Sequence, residues 1–187
     1  QLPGSRSVSP CARRRILDMM QGTDVYPETP ACHWLGNMMP RLDQQIRFCR
    51  SRDGAQIAMA SIGRGSPLVR TAHWLSHVEQ DARSPVWKHW LEALSQDHTY
   101  IRYDQRGCGL SDRSPPSNSL EAWVEDLEAV VQAQGLKKFQ LFGMSQGGAI
   151  AIAYAARHPE RVSRLVLFGA YAKGMLRRDP TAQVREE

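Results

Sequence analysis

The residues of this chain best equipped for chemistry lie in Gly143-Met144-Ser145-Gln146-Gly147, a G-x-S-x-G run. An apolar segment, Phe139 to Phe142, precedes it, and a stretch rich in Ala and Gly follows from Gln146 to about Arg157. If the first is a strand and the second a helix, the serine sits in a sharp turn that lifts its hydroxyl above the carboxyl ends of the strands, where a substrate can reach it. Small residues are needed on both sides, because bulky side chains would collide with the neighbouring strand and helix. The same turn leaves the backbone N–H of Gln146 at a helix N-terminus, aimed at a developing oxyanion. The competing reading is a glycine-rich turn with an incidental serine; strand, motif and helix in sequence favour the nucleophile.

A second run, Asp104-Gln-Arg106-Gly107-Cys-Gly109-Leu-Ser111-Asp112, follows another strand-like segment, Thr99 to Asp104. It is expected at the same end of the sheet as Ser145. Gly107 and Gly109 permit a tight turn, and Arg106 and Asp112 can pair to hold it. A phosphate-binding loop competes, but the spacing is not G-x-G-x-x-G and no helix follows directly, so the run reads as loop architecture.

The elements that must position these runs are legible from Gln45 onward. Ile46-Arg-Phe-Cys alternates, Asp53-Gly54 supplies a turn and Gln56-Ile-Ala-Met-Ala resumes, which together make an antiparallel hairpin. Leu68 to Ala72 is a short strand. Val86, Trp87, Trp90, Leu91 and Leu94 fall on one helical stripe. A second amphipathic helix covers 119–134, with Leu120, Trp123, Val124, Leu127, Val130 and Val131 facing inward, Ser119 as N-cap and Gly135 as terminator. His158-Pro159 stops the helix after the motif, and Val162 to Phe168 is the last strand. Strands alternating with helices predict an α/β fold with a mostly parallel sheet, helices on both faces, and an antiparallel hairpin at one edge. Residues 1–43, with five prolines and no sustained apolar period, read as a poorly structured extension or linker, and 44–187 as the domain.

Composition narrows the function classes. Of 187 residues, 42% are hydrophobic and 23% charged, ordinary for a soluble domain. No apolar run approaches the roughly 18 residues that span a bilayer, so no membrane partner is expected. The basic run Arg13-Arg14-Arg15 precedes only a short apolar stretch, unlike a secretory leader, and a cytoplasmic location is the expectation. The net charge of +5 is scattered from Arg6 to Arg185 rather than clustered, so no nucleic acid is expected as a partner. Cys11, Cys32, Cys49 and Cys108 are far apart, with no C-x-x-C pair, and the adjacent Cys32-His33 is poor ligand geometry. No metal, cofactor or disulfide framework is expected.

Together the two runs resemble the α/β-hydrolase superfamily, in which D-x-R-G-x-G-x-S-D follows the fourth strand and G-x-S-x-G-G the fifth. The resemblance covers about residues 45–175. It implies an α/β-hydrolase core with Ser145 as nucleophile and Gln146 supplying one oxyanion N–H. The other donor would come from the loop His73-Trp74-Leu75-Ser76-His77. His73 matches the loop-organising histidine of the His-Gly found in many relatives, Trp74 replaces the glycine, and Leu75 falls at the donating amide. His73 and His77 are the alternatives as catalytic base. The wording of His73 to His77, Arg102 to Asp112 and Arg157 to Val162 also looks like a bacterial subgroup. Its hydrolase domain is often joined to an adenylate-cyclase-type or helix-turn-helix regulatory domain.

In the superfamily the acid and then the histidine follow the serine along the chain. The acid comes after the next strand, beyond a cap segment, and the histidine after the last strand. This chain reaches Glu187 soon after the strand near Phe168, so both residues are expected beyond it, the domain is expected to be C-terminally incomplete, and Met175 to Glu187 is expected to begin a cap helix. Two functions result. One is a serine-type hydrolase of an ester or related acyl bond in a small molecule, weak without its base. The other is a non-catalytic module that senses a small molecule for a fused regulatory domain, or one stabilised by a partner chain.

Overall fold

The structure is a computed structural model and describes residues 43–171. The expected extension up to residue 42 and the expected cap helix from Met175 lie outside the described residues.

Strands β1 (Gln45–Arg50) and β2 (Gln56–Ile62) form the antiparallel hairpin, in register from Gln45 opposite Ser61 to Arg50 opposite Gln56. Its turn closes as the Asp53-Gly54 pair predicts: Gly54 donates to the Ser51 carbonyl at 2.9 Å, and the Asp53 carboxylate accepts the Ala55 N–H. Next come β3 (Ser66–Arg70), the short helices α1 (Val78–Asp81) and α2 (Lys88–Leu94), and β4 (His98–Tyr103). Then follow α3 (Leu120–Ala133), β5 (Phe139–Met144), α4 (Gly147–Arg157) and β6 (Val162–Phe168). The sheet order is β1-β2-β4-β3-β5-β6, antiparallel from β1 to β4 and parallel from β4 to β6.

That order places the site. From β3 the chain steps to β4 on one side, then crosses over to β5 on the other. The crevice at the carboxyl ends of β3 and β5 is therefore a topological switch point, where open α/β sheets bind ligands. Each sheet face has its own core. Val124, Leu127, Val130 and Val131 of α3, with Ile150, Ala151 and Tyr154 of α4, pack on Ile57, Val69, Ile101 and Leu141. On the opposite face Leu91 of α2, flanked by Trp87, Trp90 and Leu94, packs on Leu68, Tyr100, Phe142 and Met144.

Ser119 caps α3 by accepting the Ala122 N–H at 3.2 Å, and Gly135 follows that helix at φ 63°. Two residues expected to face inward do not. Leu120, in the first turn of α3, is exposed, because contact with the sheet core begins only at Trp123 and Val124. Val86 is exposed because α2 begins two residues later, after a turn in which the N–H groups of Trp87 and Lys88 both reach the Ser84 carbonyl. β3 also runs two residues ahead of expectation and ends at Arg70, which frees Thr71 and Ala72 to meet the motif turn. The outer strand β6 leaves Leu165, Val166, Leu167 and Phe168, which alternate between its faces, 39% to 49% exposed.

Candidate active site

Ser145 stands between β5 and α4 as the Phe139–Phe142 run and the glycines predict. Its φ is 51°, the sole positive φ among the described non-glycine residues, and its side chain is exposed. Such a backbone costs an L-residue roughly 1–2 kcal/mol, so the turn must be held from outside. Its N–H donates to the Phe168 carbonyl of β6 at 2.9 Å, and its carbonyl accepts the Gly148 N–H at 3.0 Å. Thr71 bolts the other side, its hydroxyl donating to the Gly147 carbonyl at 2.8 Å. The closeness of β3 explains the second glycine: a Cβ on Gly147 would stand 2.5 Å from the Thr71 Oγ1 and 2.7 Å from the Ala72 carbonyl oxygen. Gly143 lies against α4 in the same way, facing Ala151 and Gly148.

Beside the serine, the Gln146 backbone N–H donates to no acceptor among the described residues. The Gln146 side chain reaches across to the loop after β3, where its Oε1 accepts the Trp74 N–H at 3.1 Å. Leu75, expected to supply the second oxyanion amide, directs its N–H to the His73 Nδ1 at 3.3 Å. His73 is thus buried inside the loop it shapes, its ring 5.3 Å from that of Trp87. The side chains of Trp74 and Leu75 are exposed, and the Cys108 thiol donates to the Trp74 carbonyl. Burial, reinforced by the Arg70 guanidinium, pushes His73 down to about 4. A base matched to neutral pH needs a value near 7, and the His73 Nδ1 is already engaged by the Leu75 N–H.

The run from Asp104 to Asp112 forms the neighbouring loop. The buried Asp104 carboxylate accepts the Val78 N–H and the Leu110 N–H, each at 2.8 Å, which ties α1 to the loop. Burial pushes this carboxyl up, while the two amides pull the other way. Gly109, at φ 54°, is required because a Cβ there would run into that carboxylate. Ser111 bridges the Asp104 carbonyl and the Ala58 N–H.

The expected pairing of Arg106 with Asp112 does not form. The Arg106 guanidinium is fully buried and grips Asp126 of α3 through two hydrogen bonds of 2.6 and 2.8 Å. It also meets Asp53 of the hairpin turn at 2.6 Å. Asp112 stays at the loop's rim, its carbonyl accepting the Gly107 N–H and its carboxylate accepting the Gln56 N–H. Burial favours the exchange, because a guanidinium out of water needs close, bidentate acceptors, which the buried Asp126 and the rim carboxylate of Asp53 supply. A carboxylate within the inward stripe of α3 was the signal for Asp126.

The remaining described histidines are engaged elsewhere, His89 with its ring 6.1 Å from that of Trp90. His77 caps α1 by accepting the Gln80 N–H, His98 meets Ser66, and His158 ends α4 with its ring 4.7 Å from that of Tyr154. Among the described residues, none hydrogen-bonds the Ser145 hydroxyl, and no three His, Cys, Asp or Glu side chains come together to hold a metal ion. No helix among them is long and apolar enough to cross a membrane.

Residues 81–185 match the profile of the alpha/beta hydrolase fold family. A cis-3-alkyl-4-alkyloxetan-2-one decarboxylase of Shewanella oneidensis is 32% identical over 142 residues, covering 70% of this chain and 42% of the relative. A 2-hydroxy-6-oxo-2,4-heptadienoate hydrolase of Pseudomonas putida is 33% identical over 121 residues, covering 63% of this chain and 42% of its own length. Among solved structures, a hydrolase of Pseudomonas aeruginosa superposes with a TM-score of 0.63 at 27% identity, over 76% of this chain and 51% of that one. An esterase of a Rhodococcus species gives 0.57 at 34% identity, over 67% and 46%. The chain therefore spans about half, or less, of the length of these proteins.

Proposed function

Because this chain belongs to the α/β hydrolase family, we propose that it carries the nucleophile half of a serine hydrolase active on an ester or related acyl bond of a small molecule. Ser145 is the nucleophile and Gln146 gives the first oxyanion amide. The observation that carries the proposal is the turn itself: an exposed serine in a left-handed backbone, beside an amide with no acceptor among the described residues. A tetrahedral intermediate formed on Ser145 would place its oxyanion at that amide and at the helix N-terminus behind it. The acid and the base come, in this reading, from sequence outside the described residues.

The loop amides favour a second reading. In this conformation Trp74 and Leu75 both spend their N–H groups within the protein, so the second oxyanion donor is not free. A module that binds a small ester or lactone as a signal needs no such donor.

A fluorophosphonate probe separates the two. In the 187-residue chain Ser145 labels slowly or not at all, since no described base activates it. In a protein extended to the length of its relatives, labelling becomes fast and is abolished by Ser145→Ala. Fast labelling of the 187-residue chain would overturn the assignment of the base to sequence elsewhere, and an inert extended protein would favour the sensor.

A further inference from the structure

A second polar site lies beneath the loop, on the sheet face covered by α1 and α2. Arg70 ends β3, and the β3–β4 register, with Leu68 beside Tyr100 and Val69 beside Ile101, sets it next to Arg102. Both guanidiniums are almost completely buried, at 1% and 0% exposure. Like charges on neighbouring strands repel, and the acceptors on hand are few. Asp81 of α1 lies 3.4 Å from the Arg70 Nη2 and 3.8 Å from the Arg102 Nε. The Arg102 Nη2 donates to the Val78 carbonyl and to Gln44. Asp104, the next carboxylate, is committed to backbone amides.

These contacts leave the Nε and Nη1 of Arg70 and the Nη1 of Arg102 buried without a hydrogen-bond partner, with the buried Tyr100 hydroxyl beside Arg70. The guanidinium groups are donors only and cannot satisfy one another; the Tyr100 hydroxyl can accept from Arg70 but keeps its own proton to donate. Each buried donor left unmet costs about 1–3 kcal/mol, and charged ones more. A water would accept from two of them but would bring two further donors into the same place. An anion seated among them would accept hydrogen bonds without adding a donor and would offset the adjacent positive charges. Trp87 lies over the Arg70 guanidinium at 5.3 Å and shields it, while its ring also packs on His73.

We propose that Arg70, Arg102 and Tyr100 bind a small inorganic monoanion such as chloride in the interior of the domain. The occupied site would hold Arg70 against Trp87, and through Trp87 the His73 loop beside Ser145. The assignment stands whether or not Ser145 is catalytic.

The test is thermal melting of the chain in sodium chloride against sodium gluconate at matched ionic strength, with ³⁵Cl NMR linewidths as an independent readout. A ligand bound only to the folded state raises the melting temperature by mass action, so the chain should melt higher in chloride, and the ³⁵Cl line should broaden and narrow again on adding bromide. Tyr100→Phe preserves the packing and should raise the chloride concentration for half-effect about tenfold, the loss of one hydrogen bond to a charged group. Arg70→Met should abolish both signals. Equal melting in the two salts, with no broadening of the ³⁵Cl line by the native chain, would overturn the proposal and leave water as the acceptor.

Discussion

Replacing Gly147 by alanine sets two effects of opposite sign against each other. The residue opens α4, and in a helix alanine is favoured over glycine by about 1 kcal/mol. On propensity alone, Gly147→Ala stabilises. The added methyl, however, would lie 2.5 Å from the Thr71 Oγ1 and 2.7 Å from the Ala72 carbonyl oxygen. The carbonyl cannot rotate away, and Thr71 is held by its bond to the Gly147 carbonyl. Overpacking costs about 1–3 kcal/mol, and backbone contact on one side puts this case near the top of that range. The net expectation is a loss of about 2 kcal/mol, or roughly 4–8 °C in Tm for a chain of this size. Differential scanning fluorimetry measures it, and Gly107→Ala is the control. Gly107 also has a positive φ, 83°, but nothing lies within 4 Å of the added methyl, so only conformational strain applies there. Gly147→Ala should be the more damaging of the two, and a variant as stable as the parent would refute the close approach of β3 to the motif turn.

Ser145→Gly relieves the strained backbone at φ 51° and should stabilise the chain by about 1 kcal/mol in urea unfolding while removing the probe target; destabilisation would mean that the turn is not held in the left-handed region. Stability should also fall as the pH drops from about 6.5 to 4. His73 titrates at about 4 in the folded chain and near 6.5 when unfolded, so the unfolded state binds more protons throughout that window. The full loss is about 3 kcal/mol, reached below pH 4, at roughly 1.4 kcal/mol per unit. His73→Gln should flatten the slope, and an unchanged slope in urea unfolding across this range would show that His73 is not buried in its neutral form.

Features that depend only on neighbouring residues were legible along the chain. The alternation of β1 and β2, the Asp53-Gly54 turn, the Ser119 cap and the glycines around Ser145 are local signals, because backbone conformation answers to side chains a few positions away. Sheet class follows from the same signals, since strands alternating with helices favour parallel neighbours. Charge pairing was decided elsewhere. Arg106 had a carboxylate six residues along at Asp112, yet it took Asp53 and Asp126, delivered by the hairpin and by α3. Arg70 and Arg102 came to share a buried face because β3 and β4 pair in one register, a relation absent from either segment alone. Likewise the Gln146 side chain met the Trp74 amide only once the β3 and β5 ends were side by side. A buried charge takes whichever acceptors the assembled layers bring within reach, and that reach is a property of the packing. The turn around Ser145 could therefore be read along the chain, while the partners of the buried arginines were settled only by packing.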